Sequence, residues 1–435
     1  MADNLSLEEL TARVRPAKVV MFDVEGDVPD LAADDRYLDA WVVARVNSHP
    51  RMIRVVDLTC GAANLKAQFD GIVRQSRDVY PGETRTVARD QLPHISVVVA
   101  TIGERLEEIK GCLESLSLQE YPRFDVILVD NRPTIPQTDA LSLLAQQWSF
   151  VELVHEPSPG ASAARNCGIA RATGEIVAFT DDDVVVGSDW LVCIGTEFAR
   201  DPHLDVLTGL ILPSELETPA QIWFENYYGG FAAQRRFSPV TLSSQRPRGG
   251  RIGVRDDENR LLETVPLYGV GAFGAGANTA YRAITIRRIG GFDEALGPGT
   301  PARGGEDLAV LMKVLWQGGR VRYQPESYVL HQHRRDYEGL LYQLEGYGLG
   351  FTAVLTSLVI SDPRHLLAIA TNFLASLRSL VLKFLGNFRG RNRATDETHD
   401  VRHFPSELAR REYRGYFKGP GAYLKSRRVL ARRAS

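Results

Sequence analysis

Three groups of residues have the types and spacing to do chemistry. The first is Asp181, Asp182 and Asp183, in the stretch GEIVAFTDDDVVVGSD over residues 174–189. Consecutive carboxylates closing a short apolar run can hold a divalent cation and a ligand phosphate, because hard cations prefer oxygen ligands. Taken alone, such a triplet is equally a solvated acidic turn. The second group is Glu306-Asp307 in GGED, directly before an apolar helical pattern over residues 308–316. Carboxylates there meet the partial positive end of a helix and suit general-base work if one points into a cleft; simple charge pairing at the helix start is the alternative. The third is His331 and His333 in YVLHQH. In a strand, HxH puts both rings on one face, and imidazole is a common metal ligand.

The elements around these groups follow from patterning. Residues 176–179 (IVAF), 95–100 (ISVVVA), 125–129 (DVILV) and 151–155 read as strands, the first two as buried parallel ones. Helical spacing fills 106–118, 140–148 and 161–172 between them. Regular alternation of this kind predicts βαβ units and a Rossmann-like sheet, with ligands beyond the carboxyl ends of its strands. No dinucleotide fingerprint stands between a strand and a helix of these βαβ units, and GxxxxGK[ST] is missing, so a nucleotide would be held through carboxylates and a metal rather than a glycine cradle. A strand over 321–323 and a turn at Pro325 precede the histidines.

The flanks are harder to read. The chain has 435 residues, too many for one ordinary core, with 44% hydrophobic and 24% charged residues. A net charge of −3 gives no global basicity to argue for nucleic acid. Residues 17–24, 41–46 and 52–58 predict strands around a turn at Asn47-Ser48-His49-Pro50, and 62–77 a helix, making a small α+β unit before a charged linker over 77–93. Asp23, Glu25 and Asp27 there read as a surface acidic turn rather than a metal loop. Cys60, Cys112, Cys167 and Cys193 show no CxxC spacing and read as buried thiols of a reducing compartment. The polar start MADNLSLEEL lacks the layout of a signal peptide, and no uninterrupted apolar run of about 18 residues suggests a spanning helix. The expected location is cytoplasmic.

The ordered set ISVVVAT, VILVDN, PGASAARNCGIARATGEIVAFTDDD, GAGANTAYR, IGGFDEALGPG, GGED and YVLHQH resembles family 2 glycosyltransferases with the GT-A fold, across residues 95–335. The resemblance implies a GT-A catalytic domain (a Rossmann-like mixed sheet flanked by helices) over 94–335; with the accessory α+β unit read over 1–93 and a helical region read by spacing over 336–435, the expected chain is an α/β protein in three parts. It implies that Asp183 is the direct ligand of Mn2+ or Mg2+ in a DXD motif. Asp181 and Asp182 would contact the donor or reach the metal through water, and His331, with His333 in reserve, would add a ligand. Asp130 would read the nucleobase edge, Thr101 would line the nucleoside pocket, Arg165 would fix the pyrophosphate and its carboxylates, and Asn278 in GAGANTAYR would touch the donor. Asp307 would be the base of an inverting displacement, with Glu306 orienting a substrate. ThrIleGly after the first strand and Asp130-Asn131-Arg132-Pro133 after the second depart from the family's common pattern. They leave the base open: uridine first, guanosine or thymidine as alternatives.

Residues 216–264 interrupt the catalytic pattern with aromatics, Arg and Gly, as a lid or an acceptor wall. Trp223, Phe224, Tyr227 and Tyr228 could stack on sugars or be ordinary core. Beyond Arg335, apolar stretches over 340–360 and 365–385 are interrupted by Gly346, Gly348, Gly350, Arg378 and Lys383, and the segment from Val401 carries ten Lys and Arg against two Glu. This region could lie on a membrane surface, at the inner face of the plasma membrane, or pack on the catalytic domain or in a homo-oligomer. The leading expectation is a metal-dependent inverting transferase moving sugar from a nucleoside diphosphate sugar, a UDP-sugar first, to a glycan, lipid-linked or small-molecule acceptor. A diphosphosugar hydrolase or nucleotidyltransferase, and a non-catalytic sugar-nucleotide-binding scaffold, are the alternatives.

Overall fold

The computed structural model describes residues 6–434 except 28, 30, 79–86, 138, 232–234, 245–248 and 373–403. A central mixed sheet carries the site. Its strands are β4 (Ile95–Thr101), β5 (Phe124–Asp130), β6 (Val151–His155), β7 (Ile176–Asp181), β8 (Val184–Val186), β9 (Val206–Pro213), β10 (Val240–Ser244), β11 (Arg251–Arg255), β12 (Leu261–Pro266), β13 (Asn278–Arg282) and β14 (Arg320–His331). They lie in the order β12-β11-β10-β14-β9-β13-β7-β4-β5-β6, with β8 alongside β14. β4, β5, β6 and β7 are parallel, whereas β13 runs antiparallel to β7 and β9. Helices α3 (Leu106–Ser117), α4 (Ala140–Ala145), α5 (Ala161–Arg171), α6 (Trp190–Arg200), α8 (Ala283–Arg288) and α9 (Glu306–Trp316) accompany these strands. The strand order turns back between β4 and β7, and this reversal is where open α/β sheets bind ligands. Thr101, Asp130 and Asp181 all stand at strand carboxyl ends beside it.

The continuous apolar runs expected of buried parallel strands are found at full burial: Ile95, Val97, Ile176, Val177 and Ala178 are closed to solvent. Two apolar layers flank the sheet, one built on Ile109, Leu113 and Trp190, the other on Phe179, Tyr281 and Leu315.

Pro325 does not end a strand. β14 continues through it for twelve residues, with a register shift against β9 between Gln324 and Tyr328. Asn278 clips this bulge: its Nδ2 donates to Ser327 O at 2.8 Å and Leu210 O at 3.0 Å, and its Oδ1 accepts from Trp190 Nε1 at 2.9 Å. Fully buried with these bonds made, Asn278 braces the sheet and does not reach the cleft, a correction to its expected donor contact. The described residues of 216–264 are largely regular structure. Helix α7 (Pro219–Tyr228) buries Trp223 and Phe224 in core, and β10–β12 extend the sheet.

The N-terminal unit has α1 (Leu7–Arg13), α2 (Ala62–Asp78), and β1 (Ala17–Asp23) parallel to β2 (Asp39–Val46), which pairs antiparallel with β3 (His49–Asp57). Alternation along β2 divides its side chains: Val42 and Ala44 join Phe69 of α2, whereas Trp41 and Val43 pack with Leu210, Leu212 and Tyr328 of the catalytic sheet. Asp23 pairs with Arg45, consistent with a structural role.

At the other end, α10 (Tyr337–Ser361) is unbroken, so its glycines have another purpose. A Cβ at Gly348 would sit 2.1 Å from Glu412 O of α11 (Ser406–Ala434), and one at Gly350 would sit 2.8 Å from Gly304. They allow close helix packing. By length and composition α10 is apolar enough to cross a membrane, contrary to the expectation from uninterrupted runs, and 50% of its apolar window is buried in the fold. The expected stretch over 365–385 lies outside the described residues from 373 onward.

Gly209 faces the β14 bulge, where an added Cβ would lie 1.9 Å from Ser327 O and 2.3 Å from Asn278 Nδ2. Backbone and a fully bonded side chain cannot easily yield, so Gly209→Ala is expected to cost about 3 kcal/mol, read as a lower urea midpoint with an unchanged slope.

Candidate active site

Asp181 ends β7, and Asp182 and Asp183 occupy the tight link to β8. β8 pairs antiparallel with the end of β14, placing Val184 opposite His331. Asp183 and His331 are therefore neighbours by sheet register, and a carboxylate oxygen of Asp183 lies 3.4 Å from His331 Nε2. One ligand atom each from Asp181, Asp183 and His331 falls within 4.8 Å of the others. Two carboxylates and an imidazole could hold a divalent cation.

The three aspartates are not equivalent. Asp182 and Asp183 are buried, whereas the Asp181 side chain is 35% exposed. Arg105, in the loop after β4, donates Nη2 to Asp182 Oδ1 at 2.7 Å and Nη1 to Asp183 Oδ2 at 2.6 Å. Thr101 Oγ1 donates to the other Asp182 oxygen at 2.6 Å. Burial pushes the Asp182 carboxyl up to about 6 despite Arg105 and Thr101, with Asp183 and Asp181 adding to the rise. For Asp183, burial acts upward too, but His331 and Arg105 hold it below the usual carboxylate range. Burial holds His331 below an ordinary imidazole, against the pull of Asp183. A neutral ring keeps a nitrogen lone pair for a metal.

A second cation spans the cleft. Arg165 of α5 is buried, donating Nη1 to Glu306 Oε1 at 2.5 Å and Nη2 to Asp181 Oδ1 at 3.0 Å. It joins two carboxylates. Glu306 is also buried, and its carboxyl is raised by that burial and by Asp307, against Arg165. Glu306 is thus held against Arg165. Asp307 accepts from Gly276 N at 2.6 Å and from Leu308 N at 2.7 Å, which fixes its orientation while leaving each oxygen a further lone pair.

Asp130 departs furthest from its expected role. It is 1% exposed, and Arg132 meets it with Nε at 2.8 Å from Oδ1 and Nη2 at 2.6 Å from Oδ2. Burial would raise its carboxyl, but Arg132 takes it below the usual range. Both carboxylate oxygens of Asp130 are thus engaged by Arg132.

His333 is turned away from the aspartates. Its Nε2 lies 2.7 Å from Glu225 Oε1, its Nδ1 3.3 Å from His331 Nδ1, and Glu225 also pairs with Arg235 at 2.6 Å. The chain Arg235–Glu225–His333–His331 orients the candidate ligand, as outer partners of metal-binding histidines do. Trp223 and Phe224 are core, and the side chains of Tyr227 and Tyr228 lie outside the described residues. Sequence reasoning missed Arg105, Arg132 and Glu225. Arg105 sits in an irregular loop without periodicity, and Glu225 meets His333 across 108 residues.

Residues 96–252 match the family model described as Glycosyl transferase family 2. The match covers a little over a third of the chain, the part that holds Thr101, Asp130, Arg165 and the aspartate triplet. Among curated relatives, the pre-mycofactocin glycosyltransferase of Mycobacterium tuberculosis is 28% identical over 199 residues, 46% of this chain and 36% of the relative. The succinoglycan biosynthesis protein ExoM of Rhizobium meliloti is 27% identical over 241 residues, 54% of this chain and 66% of ExoM. The chain thus spans little more than a third of the first of these. The solved mannosyltransferase PcManGT of Pyrobaculum calidifontis, in complex with GDP-Man and Mn2+, superposes with a TM-score of 0.43 at 16% identity, covering 84% of this chain and 94% of that one.

Burial opposes ionisation of Glu225, but Arg235 and His333 hold its carboxyl down to about 2. Because the folded value lies below the unfolded one, the group contributes about 3 kcal/mol above pH 4.5, lost as pH falls toward 2. In Glu225→Gln, urea titrations across pH 5 to 3 are expected to show a flatter acid limb than the parent.

Proposed function

We propose that this chain is an inverting glycosyltransferase that moves a sugar from a nucleoside diphosphate sugar, a UDP-sugar first, to an acceptor hydroxyl in glycan, lipid-linked or secondary-metabolite glycoside synthesis. The observation that carries this reading is the joining of two acidic groups by one buried cation. Arg165 ties Asp181 of the β7 cluster to Glu306, the neighbour of Asp307. A donor site and a base are therefore held in fixed relation, as an in-line displacement requires.

Asp181, Asp183 and His331 would hold Mn2+ or Mg2+, which when bound neutralises charge on the leaving diphosphate. Asp182, gripped by Thr101 and Arg105, would line the donor side, and its neighbour Asp181 is open enough to meet a ligand. Arg105 is half-buried and carries charge toward the same space, so it can meet donor phosphate oxygens. Asp307 would take the acceptor proton while Gly276 N and Leu308 N keep its carboxylate aligned. Glu306 and Arg165 are positioning residues.

A hydrolase would not need an acceptor base held this way, and a scaffold would need no base at all. With a turned-over donor, Asp307→Asn is expected to lower kcat by about 10²- to 10⁴-fold with donor KM little changed. Asp183→Asn is expected to lose the response to added Mn2+. Equal donor turnover by Asp307→Asn and the parent, in the presence of acceptor, would overturn the base assignment.

A further inference from the structure

A second cluster with metal-binding chemistry lies where the N-terminal unit meets the catalytic sheet. We propose that His49, Cys193 and Glu326 form a cation site for a borderline-soft divalent ion, Zn2+ by its donor set, that clasps these two parts together. A nitrogen, a sulfur and a carboxylate oxygen from these residues all lie within 4.8 Å of one another. Tetrahedral Zn2+ with bonds of about 2.0–2.3 Å places ligand atoms roughly 3.5 Å apart, so small side-chain rotations close the site. Three protein ligands leave a fourth position for water.

Each ligand comes from a different element. His49 starts β3, directly after the left-handed residues Asn47 and Ser48 that reverse the chain from β2. Cys193 lies in the first turn of α6, half-buried and in no disulfide. Glu326 belongs to the segment of β14 where the register against β9 shifts, which brings its carboxylate to the N-terminal unit. There Arg51 Nη2 donates to Glu326 Oε1 at 2.7 Å, leaving Oε2 for a metal. An outer hydrogen bond of this kind fixes a ligating carboxylate.

Charge decides whether a cation is tolerated beside Arg51. Glu326, Asp189 and Glu197 set three carboxylates around Cys193 against the single charge of Arg51. That negative surrounding favours a cation. Binding Zn2+ would displace the thiol proton, so a thiolate and the Glu326 carboxylate face the two positive charges of the ion. Sulfur also separates this site from the aspartate cluster, whose donors are oxygen and nitrogen only.

The test uses the full chain stripped with chelator and titrated with Co2+, a spectroscopic substitute for Zn2+. The parent is expected to develop a near-ultraviolet thiolate-to-cobalt charge-transfer band, bleached by Zn2+. Asp183→Asn and Cys60→Ser are expected to keep the band, and Cys193→Ser to lose it while still melting cooperatively. His49→Gln is expected to weaken Co2+ binding by about tenfold or more, which tests the site without touching the thiol. Absence of a band in the parent, its persistence in Cys193→Ser, or undiminished affinity in His49→Gln would overturn the proposal.

Discussion

Five carboxylates, those of Asp181, Asp182, Asp183, Glu306 and Asp307, are gathered at one end of the sheet, and all but Asp181 and Asp307 are closed to less than a tenth exposure. Like charges brought out of water repel strongly, and each pays a desolvation cost, so such a cluster survives only with cations among it. Arg105 serves the β7 end and Arg165 joins it to the α9 end, with His331 against Asp183. The opposite directions of Asp182 and Asp183 show how finely partners decide within one triplet. Under the proposed function, a site balanced around anions and cations would exchange protein charges for those of a metal and a diphosphate.

The flanking regions hold this cluster in place. Gly305 precedes α9 with φ 86°, and a Cβ there would lie 2.5 Å from Val354 of α10 and 3.0 Å from Gly350 O. The helix of the C-terminal region thus presses directly on the turn that aims Glu306 and Asp307. Ser357 and Tyr423 both bond Asp293, fastening α10 and α11 to the catalytic part. On the other side, Arg51 and Arg45 reach Glu326 and Tyr328 on β14, the strand whose end supplies His331. Both flanks act on the two strand and helix ends that form the site.

Much of this was legible in the order of residues, for identifiable reasons. Buried parallel strands are continuous apolar runs, so β4, β5 and β7 declared themselves, and carboxylates at their ends were candidates by position. Helix starts with adjacent acids gave α9. What the sequence did not show depends on distant partners. Asn278 lies at a strand start beside the triplet, yet its bonds run to Trp190, Leu210 and Ser327, and only the sheet reveals that. Pro325 ordinarily stops a strand; here the bulge at an otherwise continuous β14 accommodates it. The glycines of α10 read as breaks because their function is closeness to another helix. The pairing of Asp130 with Arg132, two residues on, was within reach, since Asp130-Asn131-Arg132-Pro133 already stood out from the common pattern.

The central claim is that the aspartate cluster is a metal-linked donor site. Its most direct test is the thermal midpoint of the chain with a panel of nucleoside diphosphate sugars, with and without Mn2+, in the parent and in Asp183→Ala. Ligand binding to the folded state raises the midpoint through RT ln(1 + [L]/Kd). The account predicts a rise with one class of donor, a UDP-sugar first, that needs Mn2+ and disappears with chelator and in Asp183→Ala. No rise with any donor, or an equal rise in Asp183→Ala, would contradict it.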